Sequence, residues 1–308
     1  MKTRFYIADA AKYDGQKVTV MGWVYQKRSS GKIKFLQMRD GTGIMQGVFY
    51  KGSEPGQCSD QAFDDFEKLT QETSFKVTGI VKANNRQPGV YELGVETLEI
   101  VSIAENYPIS PKEHGVEFLM ENRHLWVRSS KQHAALRVRW EIIKSIREFF
   151  DINGFVLFDA PILTPSSCEG HSTLFETPYF DSKAFLTQSG QLYGEVGAMA
   201  FGKCYVFGPT FRAEKSKTRK HLTEFWMVEP EVAWNDLDDN MKLAEAFVTH
   251  VVQSVMKNKA AELKILERDL TQLEKIKGPF PRVHYDEALK VLEKHGVGVP
   301  WGEDFGAP

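Results

Sequence analysis

Residues 207–234 read FGPTFRAEKSKTRKHLTEFWMVEPEVAW, and the reading of this stretch decides how the rest of the chain is understood. Two runs rich in aromatic and β-branched residues flank a strongly basic segment, Lys215 to His221, a pattern that predicts a strand, a charged hairpin loop and a return strand. The first arm carries Arg212 and Glu214; the second carries Glu224, Phe225, Glu229 and Glu231 with apolar residues between them. Side chains two apart on a strand share a face, so Arg212 with Glu214, and Glu229 with Glu231, are each expected to point the same way. Carboxylates and a guanidinium on one sheet face suit a triphosphate with its magnesium. The same composition also describes a solvated hairpin with cross-strand ion pairs, and composition alone leaves both readings open.

The order FRAE, basic loop, HLTEFW, EPE resembles motif 2 of the class II aminoacyl-tRNA synthetases, and its wording is closest to the asparaginyl enzymes of the aspartyl, asparaginyl and lysyl subgroup. The resemblance implies an antiparallel sheet holding ATP in a bent form, with Arg212 as the catalytic residue on the α-phosphate, where positive charge stabilises the transition state of adenylate formation. It also implies Glu214 near the adenosine and the amino acid, His221 near the outer phosphates, Phe225 stacked on adenine, and Mg2+ accompanying ATP. No protein ligand set for a metal is legible. Lys220 stands where the subgroup often has arginine, which would turn a bidentate phosphate contact into a point charge.

Upstream lies PSSCEGHSTLFETPYFDSKAFLTQSGQLYGEVGAMAF, residues 165–201. Gly170 and the serines around Glu169 read as a loop that can close, and Ala184 to Thr187 as a strand. Ser189, Gln191 and Glu195 then surround a turn into a helix, where hydrogen-bonding side chains can hold a small polar ligand. QSGQLYGE resembles the amino-acid-binding segment of the asparaginyl enzymes. Aspartyl enzymes place a lysine beside this segment; here no lysine occurs between Ser189 and Ala200, and Glu195 stands instead. A carboxylate accepts from an amide NH2 and repels another carboxylate, so Glu195 is expected to favour asparagine over aspartate. Apart from the resemblance, Glu195 reads equally as a helix-surface acid. Glu169 is implied to fix the substrate's amino group.

The first hundred residues have a different texture. VTVMGWVYQKRSSGKIKFLQMRDGTGIMQGVFY, from Val18, gives three strands broken by Ser-Ser-Gly and Asp-Gly-Thr-Gly turns; a helix around Asp60 to Leu69 and strands at Ser74 to Lys82 and Gly89 to Ser102 follow. Five strands with this spacing suit a small Greek-key barrel of the OB type. Gln26, Lys27, Arg28, Phe35, Gln37 and Gln46 mix aromatic, amide and cation, as a single-strand binding face does, although Phe35 also fits a barrel core. GWV, FLQMRDG and Gln46 resemble the anticodon-binding domain of the same subgroup. That implies Phe35 stacked on the central anticodon base, Gln46 bonded to it, and Arg28 as a further contact.

The expected fold is therefore α+β: an OB-type anticodon-binding barrel over 1–105, a linker over 106–132 containing Pro108 and Pro111, and a class II antiparallel sheet with flanking helices over 133–308. A helix from His133 to Asp151, then FVLFDAPILT interrupted by Pro161, resembles motif 1, which implies a homodimer with Pro161 at the interface. Met241 to Lys257 and a second stretch to Lys277 read as helices, and PRVHYDEALKVLEKHG as a short strand and a helix. Motif 3 of the family does not occur in these 308 residues, so the catalytic domain is expected to continue beyond Pro308 and the 308-residue chain alone to be inactive.

A net charge of −2, 42% apolar and 26% charged residues describe an ordinary globular chain that does not advertise a nucleic-acid binder overall. Cys58, Cys168 and Cys204 form no CxxC pair, and no run approaches membrane-spanning length, so a cytoplasmic protein is expected. The function implied is ATP-dependent attachment of L-asparagine to its tRNA through an asparaginyl-adenylate. The alternatives are an aspartyl enzyme of relaxed specificity and a non-catalytic tRNA-binding paralogue.

Overall fold

From Lys17 onward, alternation of apolar and polar residues produces strands whose apolar sides close on one another. In the structure, a computed structural model that describes residues 4–110, 112–165, 167–168, 174–214 and 221–305, these are β1 (Lys17–Ser30), β2 (Ile33–Arg39), β3 (Ile44–Tyr50), β4 (Ser74–Ala83) and β5 (Tyr91–Ser102). They form a closed barrel in the order β1-β2-β3-β5-β4, antiparallel except for β3 against β5. Helix α1 (Asp60–Asp65), whose first turn is capped by Ser59, follows β3. Val20, Val24, Leu36, Met38, Phe49, Phe66, Phe75, Val77 and Leu93 fill the interior. Phe35 is not among them: Leu36 and Met38 take the inward positions of β2, and Phe35 and Gln37 face out.

A bulge in β1 between Val24 and Gln26 has a large consequence. One extra residue inverts the side-chain alternation of everything beyond it. Val18, Val20 and Val24 therefore point inward, whereas Gln26 and Arg28 pair with Gln37 and Phe35 and point outward with them.

The chain divides into two compact units, Met1–Arg123 and His124–Pro308, at a point inside the stretch read as a linker. Helices α2 (Val116–Glu121) and α3 (Arg123–Trp126) lie around that point. The second unit contains α4 (Ser130–Ile152), β6 (Val156–Leu157), β7 (Leu163–Thr164), β8 (Glu176–Tyr179), β9 (Ser182–Leu186), α5 (Gln191–Phe201), β10 (Lys203–Phe211), β11 (Glu224–Val232), α6 (Leu237–Asn258), α7 (Ala260–Ile265) and α8 (Tyr285–Lys294). Strands β11, β10 and β6 form one sheet, with β6 parallel to β10, and β7, β9 and β8 form another. The segment interrupted by Pro161 thus supplies two short strands, one to each sheet. Pro161 itself is exposed.

One side of the β10–β11 hairpin is covered by α4 and α6. Tyr205 and Phe207 project there into Ile146, Phe149 and Phe150, with Val228, Phe247 and Val251 around them. Phe150 is fully buried and stacks on Tyr205 with ring centroids 4.5 Å apart.

Two expectations fail towards the C-terminus. The stretch to Lys277 is not one helix: α7 stops at Ile265, Glu267 takes a positive φ of 54°, and Arg268 N donates to Leu263 O, a left-handed cap that ends the helix. Residues 281–284 form no strand; α8 starts directly after them.

Phe150→Ala is expected to cost about 3–5 kcal/mol. In a denaturant titration this appears as a lower midpoint for protection of β10 and β11 amides, with barrel amides unaffected.

Candidate active site

Residues paired across an antiparallel hairpin share a face, so the register of β10 and β11 sorts their side chains. Thr210 faces Phe225, Gly208 faces Met227, Val206 faces Glu229 and Cys204 faces Glu231. These eight lie on the side away from α4 and α6. Arg212 lies one residue beyond β10, with the pairing carried on by Arg212 N donating to Thr223 O at 3.0 Å. Its guanidinium carbon stands 5.5 Å from the centroid of Phe225, on this same face. A Cβ placed on Gly208, midway along the face, would meet no described atom within 4 Å.

The segment before α5 crosses this face. Phe211 N donates to Thr187 O at 2.8 Å, and Gly190 N donates to Glu229 Oε2 at 2.9 Å. Ser189 Oγ donates to Glu229 Oε1 and accepts from Gln191 N at 3.0 Å. Helix α5 then lies directly on the hairpin, because Gly194 leaves room for Glu231 and Gly197 for Cys204. A Cβ on Gly194 would come within 2.9 Å of Glu231 Cγ.

Three carboxylates gather here. Glu195 is exposed on α5 and accepts from Gln191 Nε2 at 3.1 Å. Glu231 is half-buried, and burial, together with the charges of Glu195 and Glu229, raises its pKa above the ordinary carboxylate value. Burial, and after it the charge of Glu231, likewise raises the Cys204 thiol. The face is therefore cationic at the Arg212 end and acidic at the α5 end.

Most of the predicted residues come together on this surface. Arg212 and Phe225 occupy one end, Ser189, Gln191 and Glu195 the other. Glu214 and His221 are exposed and flank the hairpin tip, but neither lies on a strand, so the strand face expected for Arg212 with Glu214 does not form. Glu169 and Lys220 lie outside the described residues. Sequence reasoning gave Glu195 the role of the acid turned to the ligand; Glu195 is exposed on α5, and the half-buried acid between β11 and α5 is Glu231. The alternation EPE was the available signal, since it puts Glu229 and Glu231 on one face, but the strand alone does not say which face meets α5.

On the barrel, Phe35, Arg28 and Gln46 also converge. The Arg28 guanidinium lies 4.6 Å from the Phe35 centroid, and its Nη2 donates to Gln46 Oε1 at 3.4 Å. Gln26, Lys27, Arg28, Phe35 and Gln37 line a cavity of about 330 Å³. Lys27 turns away from solvent, donating to Glu67 O at 3.0 Å, and burial lowers its pKa.

A barrel of this topology joined to a hairpin sheet with this polar face defines a class II synthetase of the subgroup that carries an OB domain. Residues 115–304 match the family of tRNA synthetases class II (D, K and N), and residues 18–101 the OB-fold nucleic acid binding domain. The asparagine–tRNA ligase of Koribacter versatilis is 58% identical over 98% of this chain and 70% of its own length. The crystal structure of asparaginyl-tRNA synthetase from Pyrococcus horikoshii complexed with asparaginyl-adenylate superposes with a TM-score of 0.90 at 41% identity, covering 99% of this chain and 70% of that one. The Entamoeba histolytica asparaginyl-tRNA synthetase with asparaginyl-adenylate gives a TM-score of 0.82 at 28% identity over 99% of this chain and 71% of its own. The chain belongs to the asparaginyl-tRNA synthetases.

The raised pKa of Glu231 predicts a pH-dependent stability. A folded-state pKa above the unfolded one means that the ionised form is penalised in the fold, a cost present at neutral pH and removed as pH falls below the unfolded carboxylate value. Glu231→Gln is therefore expected to raise the thermal midpoint by roughly 2 °C at neutral pH. The gain should vanish at about pH 4, as scanning calorimetry at both values would show.

Proposed function

We infer that the face bounded by Arg212 and Glu231 is where L-asparagine and ATP meet in the reaction of this family, the ATP-dependent attachment of asparagine to its tRNA. The observation that carries this is the shared face itself. A guanidinium and an aromatic ring sit at one end, hydrogen-bonding groups and acids at the other, with open space over Gly208 between them.

In the first step an asparagine carboxylate oxygen attacks the α-phosphorus and pyrophosphate leaves. Arg212 neutralises charge that grows on the α-phosphate oxygens, and Phe225 stacks on adenine. Glu214 lies towards the adenosine and His221 towards the outer phosphates. Ser189 and Gln191 hold the amino acid, with Glu229 positioning Ser189. Glu195 and Glu231 together supply the acidic surface that accepts the side-chain amide and repels the carboxylate of aspartate. In the second step a ribose hydroxyl of the tRNA terminal adenosine attacks the adenylate carbonyl and AMP leaves. Positioning and charge stabilisation suffice, with no covalent enzyme intermediate.

Magnesium travels with ATP in this reading. Among the described residues no group of three or more His, Cys, Asp or Glu stands together as a metal-binding set. No step is routed through it.

The barrel, residues 1–105, binds the anticodon through Phe35, Gln46 and Arg28, with 106–132 as linker and 133–308 as the catalytic part. A homodimer through the motif 1 region is supported by exposed Leu136 and Trp140 on α4 and by exposed Ile162 and Leu163, which follow Pro161 in the chain. A cytoplasmic setting agrees with Cys58, Cys168 and Cys204 lying far apart in the sequence with no CxxC pair. No helix among the described residues is long and apolar enough to cross a membrane. The aspartyl and non-catalytic readings are not favoured, since relatives at 58% and 54% identity are asparagine–tRNA ligases.

Pyrophosphate exchange tests the site. Arg212→Ala should lower kcat by about 10²–10³-fold. Asparagine, and not aspartate, should support the wild-type reaction; a preference for aspartate would remove the role given to the acidic end.

A further inference from the structure

The outward row of the barrel contains an ordered chain of polar groups. Gln26 pairs with Gln37, Gln37 with Gln46, and Gln46 with Glu92, so four residues from β1, β2, β3 and β5 stand side by side. Gln46 Nε2 donates to Glu92 Oε1 at 2.9 Å, and Asn84 Nδ2 donates to the same oxygen at 2.9 Å. Asn84 is itself held by Arg86 N donating to its Oδ1 at 2.8 Å. At the other end of the Gln46 amide, Arg28 donates to Oε1.

An amide side chain can present either its oxygen or its NH2 to a partner, and the two ends are nearly isosteric. An ionised carboxylate only accepts, so Glu92 admits one orientation alone, with NH2 towards Glu92 and Oε1 towards Arg28 and Phe35. In the free protein Arg28 enforces the same orientation from the oxygen side, while its guanidinium covers the Phe35 ring. A base stacked on that ring takes the place of Arg28 there. Glu92 is then the group left to hold the amide.

We propose that Glu92 is a positioning residue that makes Gln46 an obligate acceptor towards the stacked base, so that the site reads uridine against cytidine at the centre of the anticodon. This rests on the reading of the barrel as the anticodon site. The asparagine codons AAU and AAC require a central anticodon uridine. Uridine carries a donor at N3, which an amide oxygen accepts. Cytidine carries an acceptor at N3, which the same oxygen repels. An amide free to turn over would serve both bases.

The test is fluorescence-anisotropy binding of two anticodon stem-loops, differing only in central U or C, to the full chain. The wild type should prefer U by about 10–100-fold. Glu92→Gln can accept from or donate to Gln46, and should bring the ratio to within about threefold. Glu92→Ala, which cannot orient the amide, should do the same. Phe35→Ala should weaken both loops by about tenfold or more while keeping much of the ratio. If both Glu92 variants keep the wild-type ratio while Phe35→Ala binds weakly, the positioning role is overturned and the anticodon reading stands. If Phe35→Ala binds both loops as the wild type does, the anticodon reading falls and the role of Glu92 with it.

Discussion

The carboxylate of Glu229 holds the polar face of the β10–β11 hairpin together. It sits on β11 and accepts from Ser189 Oγ and Gly190 N, at the point where the chain turns into α5. Charge-assisted bonds of this kind are stronger than neutral ones, and the amides at the start of a helix favour a negative partner. The helix is therefore tied to the sheet at its first turn. Gly194 and Gly197 let it stay in contact for the next two turns. Any ligand lying along the hairpin is walled on one side by a segment that cannot drift from it.

That arrangement has an electrostatic cost. Bringing Glu195, Glu229 and Glu231 near one another while half-burying Glu231 raises the pKa of Glu231 rather than lowering it, so the cluster is no structural ion-pair network. The acids are useful because of what they exclude. In the function proposed, the cation at one end would face developing phosphate charge, and the negative surface at the other would accept NH2 groups and reject a second carboxylate. Both ends are carried on one rigid hairpin backed by Phe150, Tyr205 and Phe207, so their separation is set by strand register rather than by a loop.

The barrel uses register in the same way. Its closed order buries an apolar interior and leaves a continuous outward row, and the β1 bulge adds Gln26 and Arg28 to that row. Without the bulge, those side chains would face the core. Lys34 illustrates the other side of the alternation: it is buried, with Nζ donating to Phe63 O at 2.7 Å and pairing with Glu67 at 2.7 Å, so a lysine next to Phe35 in sequence serves the fold and not the outward row.

Much of this was legible beforehand because it depends on short-range periodicity. The five barrel strands, the helix read over His133 to Asp151 and the hairpin follow from alternation, periodicity and turn residues, while the grouping of Arg212, Phe225, Ser189 and Gln191 was implied by the resemblance to the family. Where reading failed, a backbone cap or the pairing between strands overrode the local pattern. The amphipathic run after Ile265 does not continue as a helix, because a left-handed Glu267 and the bond from Arg268 to Leu263 end it. By pattern Phe35 read more readily as core than as surface until Leu36 and Met38 were seen to take the interior.

The amino-acid sequence by itself determined the architecture, the family and which residue types are available for chemistry, since these depend on composition and spacing within a single strand or helix. Only the tertiary structure decided which acid is half-buried between β11 and α5 and which end of the Gln46 amide faces Arg28. Those choices depend on the placement of α5 against β11 and on a one-residue slip in β1. Contacts between segments far apart in the chain leave no periodic trace in either one.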